Sequence, residues 1–283
     1  MALVHRYLLE TLAGQRLTRR STTKMVAAGA FYKPKENLAR PLGEDAHFVC
    51  ASAQTIGVAD GVGGWSQIGI DAGEYSRALM SNAEISVRYQ VENTGSVNPT
   101  RALHDAFCNT VAEGSSTACV LTLVNGSVEA VNVGDSGFVV VRGGAVVYRS
   151  PVQQREFNFP YQLGTTCDNP SVAQSLTVGV RLGDVIVMGT DGLFDNVYEK
   201  ELERLVDEVW FVGGAPPPPG KLARKIAAYA YEKGRSEDAD TPFAVEAWRA
   251  GRLHVGGKYD DVTVVVAYVE EADQHEGFSR IIS

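Results

Sequence analysis

Four acidic clusters border strand-like runs in this chain, and they constrain its fold more than any other feature. Two clusters directly follow short apolar runs, and the other two directly precede further runs of this kind. Runs rich in β-branched residues that stop at a turn predict buried strands, so an acid at the end of a run is carried to the edge of a sheet. The clusters are Glu44-Asp45, Asp60-Gly61, Asp191-Gly192 and Asp260-Asp261.

Carboxylates gathered at one end of a sheet would repel one another unless cations lay between them. Oxygen ligands of this kind suit magnesium or manganese rather than zinc. Asp-Gly is also a favoured turn pair, so one cluster alone is more typical of a hairpin than of a metal site. The set of four, each beside a strand-like run, favours a metal site.

Composition narrows the class of protein. The 283 residues carry a formal net charge of −8, which disfavours nucleic acid or an anionic membrane as a partner. No stretch is long and apolar enough for stable membrane insertion. The four cysteines have no zinc spacing and are predicted to be reduced core thiols, which suits an intracellular or organellar interior. We expect a globular protein that acts as a monomer.

The first residues differ from the rest of the chain, since Glu10 is the only acid before Glu36 among many arginines and hydroxyl residues. A basic, acid-poor, amphipathic start is typical of an organelle transit peptide, although an ordinary surface helix or a frayed tail has the same composition. The prominence of arginine favours the mitochondrial matrix, with the plastid second and the cytoplasm third. The predicted division is residues 1–28 for targeting, 29–272 for the domain and 273–283 for a tail.

Hydrophobic periodicity predicts an α+β protein with antiparallel sheets. Helical spacing runs from Asp71 to Val91, and a second helix is predicted from Thr100 to Glu113, with Asn98 as its cap and Pro99 at its first position. The segment 150–178 is polar and long enough to be a functional flap. Further helices are predicted at 199–210, 221–233 and 242–250, and strands at 47–51, 55–59, 118–124, 128–133, 138–141, 145–148, 185–189 and 262–269.

Two divalent ions held by a bridging carboxylate can share one water, which loses a proton near neutral pH and becomes a nucleophile. The natural electrophile is a phosphate monoester. Arg40, just before Glu44, could clamp the phosphate oxygens in bidentate fashion, although a surface arginine is an equal alternative. No cysteine has an arginine six positions later, and Gly256-Gly257-Lys258-Tyr259 lacks the rest of a P-loop, so two competing phosphate chemistries are disfavoured.

The ordered motifs resemble the PPM-type metal-dependent Ser/Thr phosphatases, the protein phosphatase 2C family. The resemblance runs from about residue 30 to 270, and Gly61-Val62-Gly63-Gly64-Trp65 further resembles the organellar branch. It implies a four-layer αββα sandwich, with two antiparallel sheets flanked by helices and a dimetal cleft at one sheet edge. The motifs are Arg40 with Glu44-Asp45, 60–64, 114–118, 132–136, Thr190-Asp191-Gly192 and 260–264.

By motif position, the resemblance implies a role for each acid. Asp60 would bridge two Mg²⁺ or Mn²⁺ ions and take part in catalysis, with the Gly61 carbonyl on one ion. Glu44 would hold the second ion, and Arg40 would bind the substrate phosphate and act in catalysis. Asp191 and Asp260 would hold the first ion, and Asp45 and Asp261 would orient metal-bound waters or neighbouring ligands. Asp135 would either hold a weak third metal ion or be a plain hairpin-turn residue.

One departure from the family matters. Many members have a histidine after the Asp-Gly pair that protonates the leaving group, whereas this chain has Val62, which cannot donate a proton. The main hypothesis is hydrolysis of phosphoserine and phosphothreonine in phosphoproteins by a hydroxide that bridges the two metals. Two alternatives stay open: a pseudophosphatase that binds phosphoproteins without turnover, and a hydrolase of small phosphorylated metabolites.

Overall fold

The computed structural model describes residues 23–38, 41–210 and 216–271. Its main body is a pair of five-stranded antiparallel sheets. The first sheet has the order β1-β14-β13-β7-β8, and the second has the order β12-β6-β5-β3-β2. The strands of the first sheet are β1 (Thr23–Lys33), β7 (Gly137–Arg142), β8 (Ala145–Arg149), β13 (Val185–Gly189) and β14 (Val262–Glu271). Those of the second are β2 (Asp45–Cys50), β3 (Thr55–Asp60), β5 (Ala118–Val124), β6 (Ser127–Val133) and β12 (Gln174–Gly179).

Two short strand pairs and six α-helices accompany these sheets in the described part of the chain. The short strand β4 (Ser115–Ser116) pairs with β11 (Leu163–Gly164), and β9 (Gln154–Glu156) pairs with β10 (Phe159–Pro160). The helices are α1 (Ala72–Thr94), α2 (Pro99–Asn109), α3 (Asp191–Phe194), α4 (Glu199–Trp210), α5 (Pro219–Arg235) and α6 (Pro242–Arg249).

Three hydrophobic clusters define four layers. The central cluster lies between the sheets, because it takes Ile56 and Leu121 from one sheet and Ile186 and Val265 from the other. A second cluster packs α1 and α2 on the outer face of the second sheet. A third packs α4 and α5 on the outer face of the first sheet. The predicted αββα sandwich with two antiparallel sheets is therefore confirmed.

The helix signals in the sequence correspond to real caps. The Asp71 carboxylate accepts a hydrogen bond from the Gly73 N–H at 3.0 Å and begins α1. The Asn98 side chain accepts one from the Arg101 N–H at 3.0 Å, with Pro99 in the first turn of α2. Because these side chains satisfy backbone donors that the first helical turn leaves free, the starts of both helices were predictable. The end of α2 was not, since the helix stops at Asn109 rather than at Glu113.

Two strands of the main sheets were absent from the sequence prediction. β12 is an edge strand inside the predicted flap, where exposed and half-buried residues alternate. β1 is an edge strand of the other sheet and pairs with β14, so it crosses the predicted boundary between residues 28 and 29. The division into 1–28, 29–272 and 273–283 stays a prediction, and residues 1–22 and 272–283 lie outside the described residues.

The four predicted strands between residues 118 and 148 do not all belong to one sheet. β5 and β6 belong to the second sheet, whereas β7 and β8 belong to the first, so the chain changes sheets at Gly134–Ser136.

The four cysteines are all free, and they differ in burial. Cys50 and Cys119 are buried, whereas Cys108 and Cys167 are exposed. The prediction of core thiols was wrong for the exposed pair. In the described part of the chain, no helix combines the length and apolar character needed to cross a bilayer.

Candidate metal centre

Strand ends deliver the predicted acids to one end of the sandwich. β3 ends on Asp60, and the antiparallel register sets Asp45, the first residue of β2, directly opposite it. In the other sheet, β13 stops two residues before Asp191, and β14 starts right after Asp261. Both sheets therefore contribute carboxylates from their adjoining edges.

A cavity of about 370 Å³ opens among these acids. Asp60, Asp191 and Asp260 line it together with Lys35 and Lys258. Asp191 lies close enough to Asp60 that its charge raises the pKa of the Asp60 carboxyl. Glu44 is joined to the same group through Lys35, whose ammonium lies 2.9 Å from Glu44 Oε2 and 3.0 Å from Asp260 Oδ1. The four distant acids predicted to meet do meet.

Gly61 fixes the backbone next to Asp60. Its N–H donates to the Glu44 carbonyl at 3.0 Å, and the next N–H, of Val62, donates to the Ser115 carbonyl at 2.9 Å. A Cβ at Gly61 would lie 2.6 Å from the Ala72 carbonyl oxygen and 2.7 Å from that of Glu44. Only a glycine fits this close approach, so the Asp-Gly pair here is a packing requirement and not a hairpin turn.

Asp45 and Asp261 hold the surrounding backbone and hydroxyls. Asp45 Oδ2 accepts hydrogen bonds from the hydroxyls of Thr190 at 2.8 Å and Thr263 at 2.7 Å. Asp261 accepts the backbone N–H of Lys35 at 2.7 Å and that of Glu44 at 2.6 Å, one on each carboxylate oxygen. These contacts match a supporting position for both acids and link β2, β14 and the loop before Glu44.

Two lysine ammoniums lie among the carboxylates. Lys258 Nζ pairs with Asp191, lies 2.9 Å from Asp195 Oδ2 and lies 3.4 Å from Asp260 Oδ2. Lys35 takes the corresponding place between Glu44 and Asp260. Within residues 23–38, 41–210 and 216–271, no three His, Cys, Asp or Glu side chains are arranged as a ready metal cage.

The pKa values of the acids are shifted in different directions by their surroundings. Burial raises the pKa of Asp60 well above its usual range, and the nearby Asp191 and Asp45 raise it further. Burial also raises the pKa of Asp45, with repulsion from Asp261 added. Burial would raise the pKa of Asp260 as well, but the ammoniums of Lys258 and Lys35 bring it below its ordinary value. The centre holds more negative charge than its two lysines neutralise, and the raised pKa values of Asp60 and Asp45 reflect this excess together with burial.

Among the described residues, three buried carboxylate oxygens have no hydrogen-bond partner: Asp45 Oδ1, Asp135 Oδ1 and Asp191 Oδ1. Asp135 lies beside the centre, where burial and then repulsion from Asp191 and Asp195 raise its pKa to about 7. A buried carboxylate oxygen without a partner loses its solvation and gains nothing in return. An all-oxygen donor set with such atoms fits hard divalent ions, and the residues present therefore suit Mg²⁺ or Mn²⁺.

Four further features of the sequence have different outcomes in the structure. Arg40 lies outside the described residues, so its position by the phosphate stays a prediction. Val62 lines the cavity at the place where many family members have a histidine. His47 is exposed and lines a separate pocket with Arg77 and Glu84, so it is not a replacement for that histidine. The flap contributes the hairpin tip Asn158–Pro160 to the cavity wall.

Sequence reasoning missed the lysines and Asp195. Asp195 was visible in the run that starts at Thr190, but a helical i, i+4 relation to Asp191 was needed to see that both acids share one face. Lys258 belongs to the glycine-rich run that lacks the rest of a P-loop, and it stands two residues before Asp260. A positive charge so close to an acidic cluster was the available signal for Lys258, whereas Lys35 stands nine positions before Glu44 and carries no such signal.

No family model matches the chain. Among curated proteins it is similar to "Probable protein phosphatase 2C 55" of Arabidopsis thaliana, with 49% identity over 254 residues that cover 89% of this chain and 53% of that protein. It is also similar to protein phosphatase 2C 24 of Oryza sativa subsp. japonica, with 40% identity over 233 residues that cover 80% of this chain and 73% of the relative. The chain thus spans about half the length of the first of these relatives.

Solved structures agree with this likeness. The photosystem II phosphatase PBCP superposes with a TM-score of 0.78 at 30% identity, covering 86% of this chain and 98% of that one. The catalytic domain of the phosphatase PstP, in complex with two manganese ions, gives a TM-score of 0.60 at 17% identity over 88% and 100% of the two chains, and it supports the fold alone. The architecture is that of metal-dependent protein phosphatases. This chain belongs to the protein phosphatase 2C family.

Proposed function

We propose that this chain is a metal-dependent protein Ser/Thr phosphatase that hydrolyses phosphoserine and phosphothreonine. The observation that carries the proposal is the meeting of Asp60, Asp191 and Asp260 in one cavity beside Glu44. A structural protein gains nothing from buried acids whose pKa values are raised by mutual repulsion. Membership of a family of named phosphatases supports the same conclusion.

The proposal assigns two Mg²⁺ or Mn²⁺ ions to these side chains. Asp60 and the Gly61 carbonyl, Asp191 and Asp260 would hold them together with Glu44, while Asp45 and Asp261 keep their hydrogen bonds to the surrounding backbone and hydroxyls. When bound, such ions neutralise phosphate oxygens and lower the pKa of water to near neutrality. A weak third ion at Asp135 is part of the same proposal, supported by its unpartnered carboxylate oxygen.

The chain's own residues shape the rest of the reaction. Val62, Gly63 and Gly64 form a cavity wall without a side-chain proton donor, so this wall cannot protonate the leaving alkoxide. The hairpin tip with Phe159 borders the same cavity, and it can exclude water from the side of the phosphoresidue. Arg40 remains the proposed clamp for the phosphate oxygens.

The test is hydrolysis of a phosphothreonine peptide by the full chain with Mn²⁺. We expect release of phosphate that EDTA abolishes, and Asp60→Asn is expected to lower kcat by at least about a thousandfold because it removes the central metal carboxylate. Asp105→Asn is the matched control, since Asp105 lies on α2 away from the cavity and should leave kcat unchanged. Absence of any phosphoester hydrolysis by the Mn²⁺-loaded protein would refute the proposal.

A pseudophosphatase is the second candidate, and Val62 is the observation in its favour. Such a protein would bind the phosphopeptide and leave it intact, so calorimetry combined with phosphate release separates the two functions. A small phosphorylated metabolite as substrate is separated by comparing kcat/KM for the peptide and for p-nitrophenyl phosphate. Phosphoprotein substrates would give the higher value for the peptide.

For the compartment, the proposal is the plastid. The mitochondrial preference rested on arginines in residues 1–22, which lie outside the described residues, and no comparison supports it. The solved neighbour with 30% identity is a phosphatase of photosystem II, which favours the plastid for this chain. A fluorescent fusion of the full chain in plant cells tests this location, and a mitochondrial or cytosolic signal would refute it.

A further inference from the structure

The backbone of Lys258, as well as its side chain, is held in place beside the acidic centre. Its backbone N–H donates to Asn196 Oδ1 at 2.9 Å, and its carbonyl accepts from Asn196 Nδ2 at 2.9 Å. Asn196 is fully buried. The Asn196 side chain thus fixes the position of the Lys258 backbone through two hydrogen bonds. The Lys258 side chain therefore extends toward the acids from a fixed Cα position.

The Lys258 ammonium is surrounded on several sides. Asp191 pairs with it, Asp195 Oδ2 lies at 2.9 Å, Asp260 Oδ2 lies at 3.4 Å, and the Phe243 ring centroid lies at 5.5 Å. Only 15% of the side chain is exposed. A lysine so deeply buried needs these carboxylates and the ring face to retain its charge.

Two of the three acids that hold Lys258 are proposed metal ligands, namely Asp191 and Asp260. Lys35 repeats the arrangement, because its two partners, Glu44 and Asp260, are also proposed ligands. An ammonium and a divalent ion cannot both take the same carboxylate lone pairs, and each repels the other at close range. Any ion that enters the centre must therefore displace these ammoniums or share the acids with them.

We propose that Lys258, aided by Lys35, is a resident counter-cation that competes with divalent ions for the acidic centre. Lys258 stabilises the metal-free protein by neutralising buried carboxylates, and it weakens metal affinity by the same contacts. It is a positioning residue that acts through Asp191 and Asp260, and it sets the metal concentration at which the centre fills. The inference rests on the proposed metal-dependent function.

The experiment measures Mn²⁺ binding by isothermal titration calorimetry on EDTA-stripped full chain and does not depend on activity. Lys258→Met is expected to lower the Kd for Mn²⁺ by about tenfold, because it removes the competing charge while keeping the length of the side chain. Lys258→Arg keeps the charge and should bind Mn²⁺ within about twofold of the unsubstituted chain. Lys35→Met should shift the Kd in the same direction as Lys258→Met.

Lys233→Met is the matched control. Lys233 is as buried as Lys258, with 14% of its side chain exposed, and it lies 2.9 Å from Glu201 Oε2 on the helical layer away from the cavity. Its loss should lower the melting temperature and leave the Kd for Mn²⁺ unchanged. In EDTA, Lys258→Met should also melt lower, but Mn²⁺ should raise its melting temperature by more than it raises that of the unsubstituted chain.

Each outcome has a distinct meaning. An unchanged or weaker Mn²⁺ affinity in folded Lys258→Met overturns the role of this lysine while leaving the proposed phosphatase intact. If Lys258→Met folds only with Mn²⁺ present, slower loss of the metal to a chelator than in the unsubstituted chain supports the role, and equal or faster loss overturns it. Absence of Mn²⁺ binding by the unsubstituted chain would instead refute the proposed function itself.

Discussion

Thr263 donates its hydroxyl to Asp45 Oδ2 over 2.7 Å, although the two residues are 218 positions apart in the sequence. Thr263 lies in β14 of the first sheet, and Asp45 is the first residue of β2 in the second. The bond therefore joins the two sheets at the end where the acids meet. Thr190, which directly follows β13 of the first sheet, donates to the same oxygen at 2.8 Å, so one carboxylate oxygen accepts from two hydroxyls.

Thr263→Val is expected to lower the free energy of unfolding by about 2 kcal/mol, because a buried hydrogen bond to the Asp45 carboxyl is lost. It should also raise the Mn²⁺ concentration needed for half-maximal phosphatase rate, since Asp45 loses one of the contacts that orient it. Urea unfolding and a Mn²⁺ titration of the initial rate measure the two effects.

Thr122→Val is the control for this substitution. The Thr122 hydroxyl is buried in the second sheet and accepts a hydrogen bond from the Thr55 hydroxyl at 3.0 Å, away from the acids. Its replacement should cost about 1 kcal/mol of stability without a change in metal requirement. Equal metal requirements in both variants would contradict a role for the Thr263–Asp45 bond at the centre.

Arg40→Ala is expected to raise KM for a phosphopeptide by at least about tenfold, because a bidentate guanidinium–phosphate contact would be lost. The Kd for Mn²⁺ should not change, since an arginine does not bind the metal. Arg88→Ala is the control, because Arg88 is exposed on α1 and pairs only with Glu84 of the same helix among its described ion pairs. A KM within twofold of that control would remove Arg40 from the phosphate site.

Much of the fold and of the centre could be predicted from the sequence because local rules determined it. Asp60 and Asp191 follow buried runs whose ends had to lie at a sheet edge, and the caps Asp71 and Asn98 mark their helices directly. The choice of sheet for β7 could not be read locally, because it depends on the chain crossing between layers at Gly134. Tertiary packing decides such a crossing, and no residue pattern in one strand records it.

The edge strand β12 and the lysines escaped prediction for related reasons. The residues of β12 are alternately half-buried and exposed, so neither face of the strand is fully buried. Its apolar signal in the sequence is therefore weak. Lys258 looks like an ordinary surface residue in the sequence, and its burial depends on Phe243 and Asp195 being brought to it by α6 and α3. Long-range ion pairs of this kind carry no periodicity.

The cysteines provide a chemical test of burial. Burial in the central core raises the pKa of the Cys119 thiol to about 12, so the thiolate that reacts with iodoacetamide is scarce at pH 8. Cys108 and Cys167 are exposed and free. We expect rapid alkylation of these two in the native protein, and of Cys50 and Cys119 only after unfolding in urea, as measured by peptide mass spectrometry. Rapid native labelling of Cys119 would contradict the packing between the sheets.

Gly192 couples two loops that carry proposed ligands. A Cβ at this position would overlap the Asp261 carbonyl oxygen, because the first turn of α3 packs directly on the backbone before β14. Gly192→Ala must therefore push Asp191 and Asp260 apart, and it should cost about 2 kcal/mol through overpacking. We also expect a weaker Kd for Mn²⁺, since the two proposed ligands lose their spacing.

Gly179→Ala is the matched substitution, because a Cβ at Gly179 meets no atom of the described residues within 4 Å at the end of β12. It should leave Mn²⁺ affinity unchanged and keep or slightly raise the melting temperature by restricting the unfolded chain. Calorimetric unfolding and Mn²⁺ titration of both variants provide the comparison. If Gly192→Ala binds Mn²⁺ as tightly as Gly179→Ala, then the spacing between the Asp191 and Asp260 loops does not control the metal centre, and its ligands must be sought among other acids.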